Sequence, residues 1–136
     1  MKIIKKKPTY QELLDFREIA RSSYLELTLI ERFKIFLAYS ILGLFFIKFL
    51  FNKFYLLIEN HKLIGFAILR FNKIRSLFVK LDNQNNGCGS FLLSYIEKDL
   101  KDRGYKQVYL KPTKSFRKFY LKRDYYRNKF YFCKDL

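Results

Sequence analysis

The pattern of apolar and polar positions divides the chain into a helical N-terminal part and a strand-rich remainder. The capping boxes Thr9-Tyr10-Gln11-Glu12 and Thr28-Leu29-Ile30-Glu31 each predict a helix start, because Thr and Glu three positions apart bind the first amides of a helix. Apolar residues recur at helical spacing from 13 to 20. A short segment at 2–6 predicts a first strand before these helices.

The second predicted helix continues into 13 residues without a charge, Ile35 to Ile47, and Phe49 to Phe51 extend this run beyond Lys48. A membrane-spanning helix needs about 20 predominantly apolar residues, so we interpret the run as a helix buried in the protein or covered by a partner. Basic residues on both sides would also suit contact of 35–51 with a membrane surface. Both interpretations stay open, and a true span is the least favoured.

Apolar runs in the rest of the chain predict a sheet interrupted by two helices. Turn residues at 60–62 and 72–73 separate the first three of its strands into an antiparallel meander. A helix that Gly104 ends then returns the chain to a strand parallel to the third. Four polar positions of this helix are predicted to face water: Lys98, Asp99, Lys101 and Asp102. The predicted strands are 54–59, 63–70, 74–79, 107–111 and 130–133, and the predicted helices are 91–100 and 115–122.

The length of 136 residues predicts one domain with its own core. We divide it into an N-terminal strand and two helices, 1–53, and a sheet part, 54–136. Half of the residues are apolar and a fifth are aromatic, which excludes general disorder. The order of elements predicts an α+β fold of three layers, in which helices flank a mixed, mostly antiparallel sheet.

The net charge of +16 predicts attraction to polyanions such as nucleic acid, anionic lipid or a phosphorylated cofactor. A lysine-rich composition without a polyanionic partner is the alternative. Near the C-terminus, many basic residues alternate with aromatic ones, a mixture typical of nucleic-acid-binding segments. A solvated helix face explains these basic residues equally well. The basic members of this mixture are Lys111, Lys114, Arg117, Lys118, Lys122, Arg123, Arg127 and Lys129, and its aromatic members are Phe116, Phe119, Tyr125 and Tyr126.

Cysteine and histidine are too few for a Cys/His zinc site, so no metal is expected. Cys88 and Cys133 form no CxxC motif and are expected to be reduced thiols in a cytoplasmic protein. His61, the single histidine, lies at a predicted turn, where we expect it to be solvated. No apolar run of signal-peptide length follows the N-terminus, so export is not predicted.

The stretch 84–90, Gln-Asn-Asn-Gly-Cys-Gly-Ser, lies between a predicted strand and a predicted helix. Gly87 and Gly89 lack the side chains that would keep a ligand away from the backbone. The unpaired amides and the positive end of the helix dipole favour an anion at this point. The stretch therefore predicts a phosphate-binding turn. It is neither a P-loop, since no Lys-Ser or Lys-Thr follows, nor a dinucleotide fingerprint, which needs three glycines.

With its elements in this order, the chain resembles the GNAT superfamily of acyl-CoA-dependent N-acetyltransferases from about residue 54 to 133. Gln84, Gly87 and Gly89 match the family's Arg/Gln-x-x-Gly-x-Gly/Ala at the start of its third helix. Gly104-Tyr105 before a strand and Phe119-Tyr120-Leu121-Lys122 also resemble family segments. The chain departs from the family where Asp124-Tyr125 replaces a Gly-Phe pair, Thr113 a frequent Asn, and Leu81 a common Pro.

The resemblance implies transfer of an acetyl group from acetyl-CoA to an amine by direct attack in a ternary complex. It assigns the pyrophosphate to backbone amides of 84–90 and the pantetheine arm to the preceding strand, with an amide near Val79 for the oxyanion. Tyr120 matches the tyrosine that protonates the departing thiolate. The implied cofactor-binding residues are Leu77, Phe78, Val79, Gln84, Asn85, Asn86, Gly87, Cys88, Gly89 and Ser90.

No motif indicates the general base, because strand 73–79 has no carboxylate. Glu59 on the neighbouring strand is the nearest acidic candidate, Glu26 and Glu31 come next, and some family members use an ordered water chain instead. The alternative function is a non-catalytic binding module of the same fold, docked on nucleic acid, the ribosome or an anionic membrane. The acceptor amine is not indicated, although the apolar second helix would suit a hydrophobic acceptor or a homodimer interface.

Overall fold

The computed structural model describes residues 1–22, 29–30 and 52–136. The predicted helix beyond Thr28, with its apolar segment 35–51 and Glu31, lies outside the described residues apart from 29–30, and so does Glu26, which precedes it. In the part of the chain that is described, no helix has the length and apolar character needed to cross a membrane.

The described residues form a single seven-stranded mixed sheet with helices on both faces. Its strand order is β1-β2-β3-β4-β5-β7-β6, in which β4 and β5 run parallel as predicted and all other neighbours are antiparallel. The strands are β1 (Lys2–Lys5), β2 (Lys53–Glu59), β3 (Lys62–Arg70), β4 (Lys73–Val79), β5 (Gln107–Leu110), β6 (Tyr126–Asn128) and β7 (Tyr131–Asp135). The helices are α1 (Tyr10–Ser22), α2 (Cys88–Asp102) and α3 (Arg117–Leu121).

The C-terminal part differs from the sequence prediction in two places. The last strand predicted at 130–133 is present as β7, over Tyr131–Asp135, but β6, which precedes it and forms a hairpin with it, was not predicted. The turn of this hairpin includes Lys129 at φ 49°, a left-handed conformation that closes tight turns. The helix predicted at 115–122 is shorter, since a 3₁₀ turn occupies Lys114–Phe116 before α3 begins.

Two hydrophobic clusters, one on each face of the sheet, confirm the predicted three layers. On one face, Phe16 of α1 stacks on Phe66 of β3 with ring centroids 4.0 Å apart. On the other face, α2 buries Leu92, Leu93 and Ile96 against the sheet, and Tyr120 of α3 joins the same cluster. The cofactor-binding turn predicted at 84–90 therefore enters the layer of α2 and α3.

Local hydrogen bonds fix the ends of the helices where the sequence predicted them. Before α1, the Thr9 amide donates to the Glu12 carboxylate at 2.8 Å, and the Glu12 amide donates to the Thr9 hydroxyl at 3.3 Å, which confirms the capping box. After α2, Gly104 adopts φ 84°, and the Tyr105 amide donates to the carbonyl of Leu100. This Schellman arrangement ends α2 and directs the chain into β5.

Asp99 of α2 was predicted to face water, and this is wrong. Its carboxylate accepts hydrogen bonds from Lys5 of β1 and from the buried Tyr55 hydroxyl of β2, both at 2.6 Å. Arg103 lies 3.0 Å away as an i,i+4 ion pair. Burial by itself would raise the pKa of Asp99, but the bonds from Lys5 and Tyr55 outweigh it and leave the pKa below its usual value. Asp99 thus ties α2 to the edge of the sheet.

Asp99→Asn is expected to lower the free energy of unfolding by about 2 kcal/mol at neutral pH, because charge-assisted hydrogen bonds from Lys5 and Tyr55 are lost. The lowered pKa means that this stabilisation is present above about pH 4, the usual range of an aspartate, and disappears as the pH falls through the folded-state pKa. Urea unfolding at pH 7 and pH 3 should therefore show a difference from wild type only at pH 7. The exposed Asp102→Asn on the same helix is the control, and an equal loss there would contradict the assignment.

Candidate active site

The strands β4 and β5 pair only at the start of β4 and then diverge. Their register joins Lys73 to Tyr109 and Ile74 to Leu110, after which β4 continues to Val79 while Pro112 turns the chain away from β5. A bulge in the β3–β4 ladder adds Arg75 as an extra residue at the point of divergence. The sheet therefore opens between the C-terminal ends of two parallel strands, a common position for ligands in such sheets.

The turn between β4 and α2 is held in shape by its own hydrogen bonds. The Gln84 side-chain amide donates to the carbonyl of Val79 at 3.0 Å, which draws the turn back onto the end of β4. Asn85 at φ 61° and Gly87 at φ 78° are both left-handed, and Gly87 is the N-cap of α2. The first helical bond runs from Phe91 to Gly87, so the amides of 88–90 stand at the helix N-terminus without intrahelical partners.

Gly87 and Gly89 have different surroundings. A Cβ on Gly87 would meet nothing within 4 Å, so this glycine provides the left-handed turn and an open approach to the backbone. A Cβ on Gly89 would lie 3.4 Å from Cζ of Phe119 and 3.9 Å from Cγ2 of Val79, which are ordinary van der Waals contacts. The start of α2 therefore lies against α3 and the end of β4.

Arg123, just beyond α3, reaches back to this helix start. Its Nε donates to the hydroxyl of Ser90 at 3.1 Å, Nη2 donates to the same oxygen, and Nη1 donates to the carbonyl of Phe119 at 2.7 Å. Its guanidinium lies 3.8 Å from the centroid of the Phe119 ring. The sequence placed Arg123 only within a general basic segment, although its i,i+4 spacing from Phe119 was a signal for this contact.

Tyr120 of α3 is buried in the cluster that also contains Val79 and Cys88. Its ring makes edge contacts with Phe119 and Tyr125, at centroid distances of 5.0 and 5.5 Å. Burial raises the pKa of Tyr120 above its usual value, and the positive charge of Arg123 offsets this only in part. The hydroxyl therefore keeps its proton at neutral pH, as a general acid must.

The departure at Asp124-Tyr125 leaves the end of α3 intact. Asp124 takes φ 65°, a left-handed conformation that aspartate tolerates better than most residues. Tyr125 is buried, and its hydroxyl donates to Glu97 of α2 at 2.9 Å. Lys134 of β7 donates to the other oxygen of Glu97 at 2.9 Å. The tyrosine that replaces phenylalanine here thus gains a partner for its hydroxyl.

Glu59 and Cys88 lie on the glycine-turn side of the sheet but have different surroundings. Glu59 ends β2, so β3 separates it from β4. Cys88 is buried at the start of α2, with its sulfur 3.5 Å from that of Met1. Burial, reinforced by the negative charge of Glu59, raises the pKa of the Cys88 thiol, which disfavours a thiolate nucleophile. The structure does not bring Glu59 beside β4, and its role as a base stays a prediction.

Beyond β5, the Thr113 hydroxyl oxygen is buried and makes no hydrogen bond within the described chain. Such groups are rare in native proteins and call for a partner. Gly87 and the helix-start amides follow the C-terminal end of β4, and Thr113 follows that of β5. The amides and the part of β4 that β5 leaves unpaired fit a ligand that carries phosphate at one end and an extended polar chain along the opening.

The basic residues near the C-terminus and His61 lie on the surface of the protein. The basic side chains Lys111, Lys114, Arg117, Lys118, Lys122, Arg127 and Lys129 are exposed. The aromatic residues Phe119 and Tyr125 pack inside, so they are not placed to stack on bases. His61 is exposed in the β2–β3 turn, as expected. Across the described ranges, no group of His, Cys, Asp and Glu could hold a metal ion.

Residues 48–135 match the family model described as an acetyltransferase (GNAT) domain. No curated protein sequence matches the chain significantly. PaiA N-acetyltransferase from Thermoplasma acidophilum, solved in complex with coenzyme A, is similar in structure with a TM-score of 0.77 at 22% identity, and all of both chains is covered.

Two further solved structures share the fold. A GCN5-related N-acetyltransferase from Rhodopseudomonas palustris has a TM-score of 0.84 at 15% identity, over 100% of this chain and 97% of that one. An aminoglycoside 6′-N-acetyltransferase, solved in complex with coenzyme A, has a TM-score of 0.74 at 14% identity, over 99% and 97% of the two chains.

Proposed function

We propose that this chain, which belongs to the GNAT family of acetyltransferases, transfers the acetyl group of acetyl-CoA to the nitrogen of an amine. The observation that carries the proposal is the close packing of three elements beside the opening between β4 and β5. The end of β4 and Phe119 of α3 both lie within 4 Å of the Cβ position of Gly89 in the glycine turn, and Tyr120 is the next residue of α3.

The arrangement supports a position for the pyrophosphate and one for the pantetheine arm of acetyl-CoA. The amides of residues 88–90 and the positive end of α2 bind the pyrophosphate. The pantetheine arm lies along the part of β4 that β5 leaves unpaired. The residues predicted from the sequence for this role, Leu77 to Val79 and Gln84 to Ser90, all belong to β4 and the turn that follows it.

In the reaction, the neutral amine attacks the thioester carbonyl, a C–N bond forms and the C–S bond breaks. An amide near Val79 stabilises the oxyanion of the tetrahedral intermediate. The Tyr120 hydroxyl protonates the departing thiolate, and the proton lost by the amine passes to a base. Glu59 is the candidate base, and because β3 separates it from β4, an ordered water would have to relay the proton to it.

The surroundings of the two cysteines support direct attack rather than an acyl-cysteine intermediate. Burial raises the pKa of both the Cys88 and the Cys133 thiols. A nucleophilic cysteine needs a nearby base to lower its pKa, whereas the one histidine of the sequence lies exposed in the β2–β3 turn. These surroundings support reaction in a ternary complex of enzyme, acetyl-CoA and amine.

The proposal is tested by calorimetric titration with acetyl-CoA and by release of free CoA thiol in the presence of a panel of amines. We expect saturable binding and amine-dependent thiol release. Absence of binding up to about 1 mM, the upper end of ordinary KM values, would overturn the proposed function. Binding without thiol release for any amine, peptide N-termini and lysine side chains included, would instead favour a binding module of the same fold.

A further inference from the structure

Arg123 carries an unused part of its hydrogen-bonding capacity beside the glycine turn. A guanidinium has five N–H donors, and three of them point to the Ser90 hydroxyl and the Phe119 carbonyl. No ion pair joins Arg123 to a carboxylate of the described residues. Two donors and a full positive charge therefore remain available next to the start of α2.

The group is also held in a fixed orientation. The Phe119 ring lies 3.8 Å from the guanidinium and restricts its tilt, while the two bonds to Ser90 restrict its rotation. A donor that is fixed before binding loses little conformational entropy when a ligand arrives. Ser90 is the third residue of α2, so the guanidinium faces the same end of the helix as the amides of 88–90.

We infer that Arg123 binds the pyrophosphate of CoA, adding a side-chain cation to a site otherwise made of backbone amides. The inference rests on the proposed function and deepens it. The position of Arg123 falls between the residues that match the Phe-Tyr-x-Lys and Gly-Phe segments, so no motif assigns it a role. Arginine suits this role because its planar guanidinium stacks on an aromatic ring and binds two phosphate oxygens at once, which lysine cannot do.

Calorimetry with CoA and with dephospho-CoA, which lacks only the 3′-phosphate, tests the inference on wild type and three variants. Arg123→Gln is expected to weaken binding of both ligands by about 10- to 100-fold, the range of a charge-assisted hydrogen bond. Arg123→Lys, which keeps the charge but not the stacked fork, is expected to lose affinity as well. Arg117→Gln changes the net charge equally on the exposed side of α3 and should bind as wild type does.

Each result separates one explanation from the others. If Arg123→Gln lost affinity for CoA but not for dephospho-CoA, Arg123 would contact the 3′-phosphate instead, and the pyrophosphate assignment would be overturned. Unchanged affinity in Arg123→Gln, or an equal loss in Arg117→Gln, would overturn the role of Arg123 while leaving the proposed function standing. Failure of the wild type to bind either ligand would overturn the proposed function itself. Should Arg123→Gln fail to fold, Arg123→Lys against Arg117→Gln decides the question.

Discussion

Gly87→Asp is expected to weaken CoA binding by about 100-fold or more while the protein stays folded. Aspartate tolerates the left-handed conformation at φ 78° and is a favourable N-cap, and its Cβ would meet no atom within 4 Å. Its carboxylate would accept hydrogen bonds from the amides that we propose for the pyrophosphate, and it would repel a second anion. Calorimetry with CoA and thermal unfolding measure the two effects separately.

Gly104→Asp provides a matched control at the opposite end of α2. Gly104 also adopts a left-handed conformation, at φ 84°, with nothing within 4 Å of its missing Cβ. Both substitutions therefore introduce similar backbone strain and the same charge, but only one lies in the proposed binding turn. CoA affinity close to that of wild type in Gly104→Asp, with a comparable or larger loss of stability, is the expected result. Equal loss of affinity in both variants would refute a specific role of the turn.

Tyr120→Phe is expected to lower kcat by about 100-fold or more, the ordinary range for loss of a general acid. CoA affinity should stay the same, because the pyrophosphate site does not involve the hydroxyl. Stability should also change little, since the Tyr120 hydroxyl makes no hydrogen bond among the described residues while its ring stays packed. Steady-state kinetics, with calorimetry on the same preparation, separates the chemical step from binding.

Tyr125→Phe is the matched control for Tyr120→Phe, because both rings are buried and touch each other. The hydroxyl of Tyr125 donates to Glu97, so its removal is expected to lower stability by about 1–2 kcal/mol with turnover retained. The two variants should thus show opposite patterns of lost activity and lost stability. A fall in kcat of the same size in both would argue for general damage to α3 rather than for acid catalysis by Tyr120.

The pH dependence follows from the raised pKa of Tyr120. A phenol is active as an acid only while protonated, and its ordinary pKa is already about 10. Since burial raises the pKa of Tyr120 further, the rate should not fall through deprotonation of this acid below about pH 10. The rate should instead increase with pH through the neutral range as the acceptor amine loses its proton. A kinetic pKa that lowers the rate between pH 7 and 9 would contradict Tyr120 as the acid.

The structural features that the sequence predicted correctly are mainly those in which a short segment determines its own backbone geometry. The capping box at Thr9, the Schellman end at Gly104 and the turn between β4 and α2 depend on local backbone chemistry, and each is present as expected. The parallel β4–β5 pair followed from the handedness rule for a strand–helix–strand unit. Such features need no knowledge of distant parts of the chain.

The predictions that failed or were missing depended on contacts between distant segments. Asp99 fits a solvated position by periodicity, but Lys5 lies 94 residues away and only the folded sheet brings it within 2.6 Å. All three residues of β6, Tyr-Arg-Asn, are exposed, and the segment is too short to show an apolar strand pattern, so it is recognisable only by its pairing with β7. The sequence pattern alone did not distinguish Arg123 from the other basic residues near it, because its contact with Ser90 forms only in the folded protein.

The divergence of β4 and β5 also has a mechanical consequence. Two residue pairs form the seam between β1–β4 and the β5-β7-β6 unit. The Asn72 side chain, which donates to the carbonyl of Gln107, and α2, which packs on strands of both parts, also connect them. In the proposed complex, the ligand would hydrogen-bond to the part of β4 that β5 leaves unpaired, and binding would stiffen the sheet as a whole. The β1–β4 part and the β5-β7-β6 unit would then move relative to each other while the site is empty, and would be held in one arrangement while the ligand is bound. Amide exchange in β5 and β7 reports this change directly.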